Sequence, residues 1–334
     1  MKNKSTKSPF PWTSVSVLLL SAAMLTAVIL LYSSGQKERI LHDAATEMEA
    51  VARLKAEQVA KWRSEKLNDA RLIHENVTLV ENVDAMFIKD RPQWEKSRLE
   101  QFLKTLIENY DFGGVVLVDA GGNPGLAVPA SESTAGEFLR RNITASISNP
   151  VIFMTEFHAA TVVSYLHLDL LIPMRMPHDG APCWQVCWSD KDRSRKKNFS
   201  RCSPPGQPPE EHPECILFRF EGDSVVYLNG SRLAGFDRPV TFASGEMELS
   251  AINPPAEEAE ARTYTDYTGT EVVASVKKVP GTQWYLTAKK ETEEILERFT
   301  REITMLWGIM GLVYLALGKH RLSDYKVNQS PVPP

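Results

Sequence analysis

The stretch "VASVKKVPGTQWYLTAKKETEEIL", Val273–Leu296, reads as strand, tight Pro-Gly turn, strand and charged helix. It runs straight into "ITMLWGIMGLVYLALG", Ile303–Gly318, which is apolar enough to enter a bilayer. A hairpin seated directly on a membrane helix sets the problem of what the chain does outside that membrane.

Ile303–Leu317 is short for a ~30 Å hydrocarbon core, and a buried core helix competes on length alone. The flanks favour a crossing: Lys319, His320, Arg321 and Lys326 follow it, as basic residues follow membrane helices on the cytoplasmic side. At the other end Lys2, Lys4 and Lys7 precede "VSVLLLSAAMLTAVILLY", Val15–Tyr32. A cleaved signal peptide would have a shorter apolar core and a small-x-small cleavage site, and "LLYSSGQ" is a poor one. Two crossings with both ends inside are self-consistent. The expected organisation is a cytoplasmic N-terminus over 1–14, a transmembrane helix over 15–32, and an outer domain over 36–301. A second transmembrane helix over 303–317 and a short cytoplasmic tail over 318–334 complete it.

The chain of 334 residues carries a net charge of -4 and 24% charged residues, which is ordinary globular composition. No basic face suggests nucleic acid. No nucleophile elbow, phosphate loop or HExxH motif suggests an enzyme, so no catalytic residue and no cofactor are expected.

Residues 36–75 are rich in Ala, Glu, Lys, Leu and Arg, with no Gly or Pro. Apolar residues recur at Leu41, Ala44, Met48, Val51, Ala52, Val59, Trp62 and Ile73, close to a three-four spacing. That predicts a long amphipathic helix, its stripe interrupted at Lys55 and Lys66. A second helix is expected over 92–109. The period then changes. "GGVVLVDAGGNPGLAV", Gly113–Val128, is a hairpin signal, with Asp119 as a turn residue. Further strands are expected within "TVVSYLHLDLLIPM" (161–174), in two halves of "CILFRFEGDSVVYLNG" (215–230), and over 262–266, 271–279 and 283–289. "NPPAEEAEA", 253–261, reads as a solvated acidic loop or short helix. The fold class is α+β, antiparallel sheets covered by helices.

This layout resembles the double Cache sensor domain of bacterial membrane receptors of the histidine kinase, diguanylate cyclase and chemoreceptor types. "ARLKAEQVAKWRSEKLNDARLI", Ala52–Ile73, is similar to the start of that family's membrane-emergent helix. "GVVLVDAGGN", Gly114–Asn123, is similar to the first hairpin of the distal lobe. "DYTGTEVVASVKKVPGTQWYLTAKKETEEIL", Asp266–Leu296, is similar to the closing strands of the proximal lobe and the return helix. The resemblance implies two PAS-like lobes, distal over 76–180 and proximal over 215–290. It implies a small-molecule ligand in the distal lobe and a signal passed through paired membrane helices. It further implies a bacterial inner-membrane location with the sensor domain periplasmic, and a homodimer or a partner signalling protein. Residues 318–334 leave no room for a kinase, cyclase or methyl-accepting module, so the chain reads as a sensor without its own output domain. The competing reading is a membrane-anchored structural or assembly protein that uses its outer domain for protein contacts.

All four cysteines lie in "APCWQVCWSDKDRSRKKNFSRCSPPGQPPEEHPEC", Ala181–Cys215, expected as an irregular Cys/Pro-rich stretch over 181–214. Three readings stay open. Cys183, Cys187, Cys202 and Cys215 could form a metal site, helped by His178 or His212, although the spacings match no common zinc knuckle. They could instead form disulfides in an oxidising compartment. The stretch could also be a surface insertion without chemistry, including one produced by a local frame shift.

The polar residues placed to reach a distal ligand are Arg141, Glu156, His158, Tyr165, His167 and Asp169. Alternation within "VVSYLHLDLLIP" puts Tyr165, His167 and Asp169 on one face and Leu166, Leu168 and Leu170 on the other. That polar face meets either solvent or a pocket. Amino-acid-binding members of the family carry an Arg followed by Trp and Tyr near Arg140 and Arg141, and "RRNITASIS" lacks the aromatic pair. Trp284, after the Pro-Gly turn, is expected in the proximal core.

Overall fold

Small and apolar residues at three-four spacing fix the first element. The computed structural model describes residues 12–87, 93–119, 123–129, 142–143, 151–156, 158–159, 166–175, 182–189, 213–222, 224–228, 240–243, 258–266 and 269–327. Helix α1 spans Trp12–His74 without a break, so the apolar run and the amphipathic run form one rod, and Gly35 does not interrupt it. At 1.5 Å per residue it is roughly 95 Å long. Ala44, Met48, Ala52, Ala56, Val59, Ala70 and Ile73 are its buried stripe. Four of the seven are alanines, which lets sheet side chains approach the helix axis closely.

Lys66 occupies a position in that stripe instead of interrupting it. Its ammonium donates to the Tyr110 carbonyl, lies 3.6 Å from Asp69 and sits 4.9 Å above the Phe112 ring. Helices α2 (Val77–Phe87) and α3 (Gln93–Tyr110) follow. Asn76 caps α2, its side-chain oxygen accepting from the Leu79 N–H at 3.0 Å.

Two antiparallel sheets pack along α1. The first runs β2 (Pro124–Val128), β1 (Gly114–Val118), β6 (Pro182–Ser189), β5 (Leu166–Arg175), β3 (Phe153–Met154), with β4 (His158–Ala159) also paired to β5. The Asp119 carboxylate accepts from the Asn123 N–H at 2.8 Å and closes the β1–β2 turn. The second sheet runs β10 (Glu258–Thr265), β11 (Glu271–Lys278), β12 (Trp284–Glu291), β7 (Glu214–Glu221), β8 (Ser224–Tyr227), β9 (Val240–Ala243).

Strand β6 corrects the expectation of an irregular stretch from 181. Its backbone joins β1 to β5, with Cys187 opposite both Val115 and Leu170. The reason is topological: without it the β1–β2 hairpin and β5 would each present an open edge. The acidic segment is corrected too, because Glu258–Ala261 begins β10 and is neither loop nor helix.

One face of the first sheet (Val115, Leu117, Leu126, Val128, Leu170, Ile172, Met174) packs on the end of α1, on α2 and on α3. One face of the second (Leu217, Val273, Leu286, Ala288) packs on the middle of α1. Leu168 of β5 and Met154 of β3 join this second cluster, so the lobes share apolar contact beside the helix.

Strand β12 ends at Glu291, and α4 (Thr292–Val327) begins at the next residue. Glu293 and Glu294 in its first turn suit the positive end of the helix dipole. Both α1 and α4 contain stretches long and apolar enough to cross a membrane. They meet, and the Tyr314 hydroxyl donates to Ser21 Oγ at 3.1 Å.

Candidate functional site

The face of the first sheet turned away from α1 carries Val116, Val118, Ala127 and Leu171, packed with Ile143 and Phe153. Strand alternation places Asp169 on this face, two residues before Leu171. Asp169 is 5% exposed, so it does not meet bulk solvent. Its N–H donates to Thr155 Oγ1 at 2.8 Å, and its carbonyl accepts from the Thr155 N–H at 2.8 Å. A buried carboxylate beside an apolar floor can orient a small ligand that carries a hydrogen-bond donor or a positive charge.

His158 and His167 are opposite one another in the β4–β5 register, which puts both backbones beside Asp169. Arg141, Tyr165, Cys202, His178 and His212 lie outside the described residues. Cys183 and Cys187 are described only as backbone of β6.

Glu156, expected with these residues, has a different partnership. Its Oε2 accepts from the Trp284 indole Nε1 at 2.5 Å and from Arg219 at 3.0 Å. Trp284 opens β12 and is buried in the core of the second sheet, and Arg219 lies opposite it on β7. The Arg219 guanidinium also donates from Nε to Glu221 at 2.8 Å. Glu156 therefore ties the segment after β3 to the second sheet. Its reach across the lobes is invisible to local sequence periodicity, and so is the role of Arg219.

Beside this contact is a cleft of about 350 Å³ between the lobes. Arg63 of α1, Met154 to Glu156, Lys278, and the Gly281–Trp284 turn line it. Gly281 takes φ +71° there, a conformation that suits glycine in the Pro-Gly turn.

On the outer face of the second sheet, Lys289 is buried between two carboxylates. It lies 2.7 Å from Asp266 and 3.5 Å from Glu214. Phe218, Phe220, Tyr227 and Tyr285 form an aromatic cluster on the same face, with Phe218 and Tyr285 stacked at 5.6 Å. Cys215, beside Glu214, is disulfide-bonded, which removes it from the four candidate metal ligands. Among the described residues no group of three or more His, Cys, Asp or Glu could hold a metal ion.

No protein-family model matches the sequence, and no curated relative does. Solved structures match by shape. An extracellular domain assigned to a histidine kinase, rpHK1S-Z16, is 15% identical with a TM-score of 0.50, over 77% of this chain and 98% of that one. The ligand-binding domain of the amino acid chemoreceptor PctB of Pseudomonas aeruginosa PAO1, in complex with L-Arg, is 17% identical with a TM-score of 0.49, over 82% and 99%. That of the Pseudomonas fluorescens chemoreceptor CtaA, in complex with L-isoleucine, is 14% identical with a TM-score of 0.48, over 79% and 98%. At such identities the likeness is one of fold: the chain shares the fold of a solved extracellular domain, in agreement with the fold that the sequence resemblance implies.

Proposed function

We propose that the chain is a non-catalytic, membrane-anchored ligand sensor, with two PAS-like lobes outside the bacterial inner membrane and helices crossing it on either side. The observation that carries this reading is a continuous linkage. Asp169 on the distal face is bonded to Thr155, and its neighbour Glu156 grips Trp284 at the head of β12. β12 then enters α4 with no residue between them. A ligand that changes how β5 sits against the 153–156 segment thereby pulls on a strand rigidly joined to the exit helix. Such a ligand shifts the equilibrium only by its different affinity for the two states.

Other observations support the setting. Exposed Leu19, Leu31, Leu312 and Leu315 belong to the two apolar helices and suit lipid. The disulfide at Cys215 suits an oxidising compartment such as the periplasm. The Ser21–Tyr314 contact suits paired membrane helices. Signalling then runs to a second copy or to a partner protein, as in two-component systems.

The test is a thermal-shift screen of the full chain in lipid nanodiscs against small metabolites. A specific ligand raises the melting temperature by mass action, and Asp169→Ala abolishes the rise. A folded chain that responds to no metabolite refutes the distal site and favours the assembly-protein reading, whereas a response that survives Asp169→Ala refutes the distal site alone.

A further inference from the structure

The cleft between the lobes has its own chemistry, separate from the distal face. Two cations line it, Arg63 from α1 and Lys278 from the end of β11. Among the described residues the acidic member of the lining is Glu156, whose Oε2 is held by Arg219 and Trp284. Arg63 makes no ion pair among the described residues. A half-buried guanidinium facing an open cavity offers a planar pair of donors, matched to a carboxylate or phosphate. Lys278 brings a second cationic side chain to the lining, from the second sheet. The space of about 350 Å³ falls within the range of small-molecule sites.

We infer that this cleft is a second binding site, for a small solute bearing a carboxylate or phosphate group. Arg63 and Lys278 hold the anion from two elements, and Thr155, Thr282 and Gln283 supply the remaining polar lining. The occupant touches both ends of the Glu156–Trp284 contact, so it stiffens the junction through which β5 and β12 are coupled. The inference stands on the cleft and does not require the distal ligand.

The experiment is isothermal titration of the full chain in nanodiscs with succinate and, separately, inorganic phosphate. The expected result is saturable binding of at least one probe, weakened by added salt. Arg63→Ala and Lys278→Ala should each weaken it tenfold or more, Arg63→Lys should restore part of it, and Lys61→Ala, which removes an exposed charge on the same helix, should leave it unchanged. Whichever probe binds tighter identifies the oxyanion class. The inference is overturned if neither probe saturates, or if Lys278→Ala and Arg63→Lys both bind as wild type. It is also overturned if Lys61→Ala weakens binding as much as Arg63→Ala does, which would make the effect one of net charge on the helix. Lys278→Ala and Arg63→Lys keep the test decisive if Arg63→Ala fails to fold.

Discussion

Glu156 and Trp284, 128 residues apart, are joined by a hydrogen bond of 2.5 Å from the indole Nε1 to the carboxylate. One residue follows the edge strand β3 of the first sheet, and the other opens β12 of the second. Trp284→Phe keeps the ring in the core and removes the donor. The expected cost is about 1 kcal/mol, because Arg219 still pairs with Glu156. The functional expectation is sharper. With spin labels on α1 and α4, Trp284→Phe should retain the thermal shift given by a distal ligand while losing the ligand-induced change in interhelical distance. A variant that still moves α4 as wild type does would remove Glu156–Trp284 from the transmission path.

Lys289 sits buried between Asp266 and Glu214. Lys289→Met fills similar volume but leaves two buried carboxylates facing one another. Removing one member of such a buried cluster costs about 3–5 kcal/mol. Denaturant midpoints of the variant and wild type measure this, and a loss under about 1 kcal/mol would mean that solvent screens the cluster.

Cys215 is disulfide-bonded at the start of β7, where it is buried opposite Ala288 of β12. Cys215→Ser is expected to destabilise the chain by about 2–5 kcal/mol. A reducing agent should lower the wild-type midpoint towards that of the variant and leave the variant unmoved. Equal midpoints with and without reductant in the wild type would contradict it.

Glu49 on α1 accepts a hydrogen bond from Lys277 at 3.0 Å. That bond, and then the lysine's charge, hold its carboxyl below the usual carboxylate range. A lowered folded-state pKa contributes stability above the unfolded value of about 4.3, and the contribution disappears as pH falls through the folded value. The melting temperatures of wild type and Glu49→Gln should therefore differ at pH 7 and converge on acidification through that range. Parallel curves would show that the pair contributes nothing measurable.

The sequence by itself determined the elements whose information is local. The Pro280-Gly281 turn, with strands on both sides, appears within a residue or two of its expected bounds. The stripe from Ala44 to Ile73 gave the buried face of α1, because a 3.6-residue period alone selects a side. The alternation that set Leu168 and Leu170 on the face of β5 opposite Asp169 likewise matches the packing of those two leucines against the helices. Tertiary structure decided what alternation cannot encode. Whether the polar face of β5 meets water depends on what covers it, and Asp169 turned out buried. Pro182–Ser189 lies in a stretch that reads as irregular by composition, yet it is strand, because without it β1 and β5 would each present an open edge. Lys66 reads as a break in an apolar stripe, yet the Tyr110 carbonyl and the Phe112 ring satisfy it inside. Glu156 reads as one polar residue among several near the distal ligand, yet its carboxylate belongs to Trp284 and Arg219. Periodicity assigns a side chain to a face of its own element. Only the packing of distant elements assigns that face a partner.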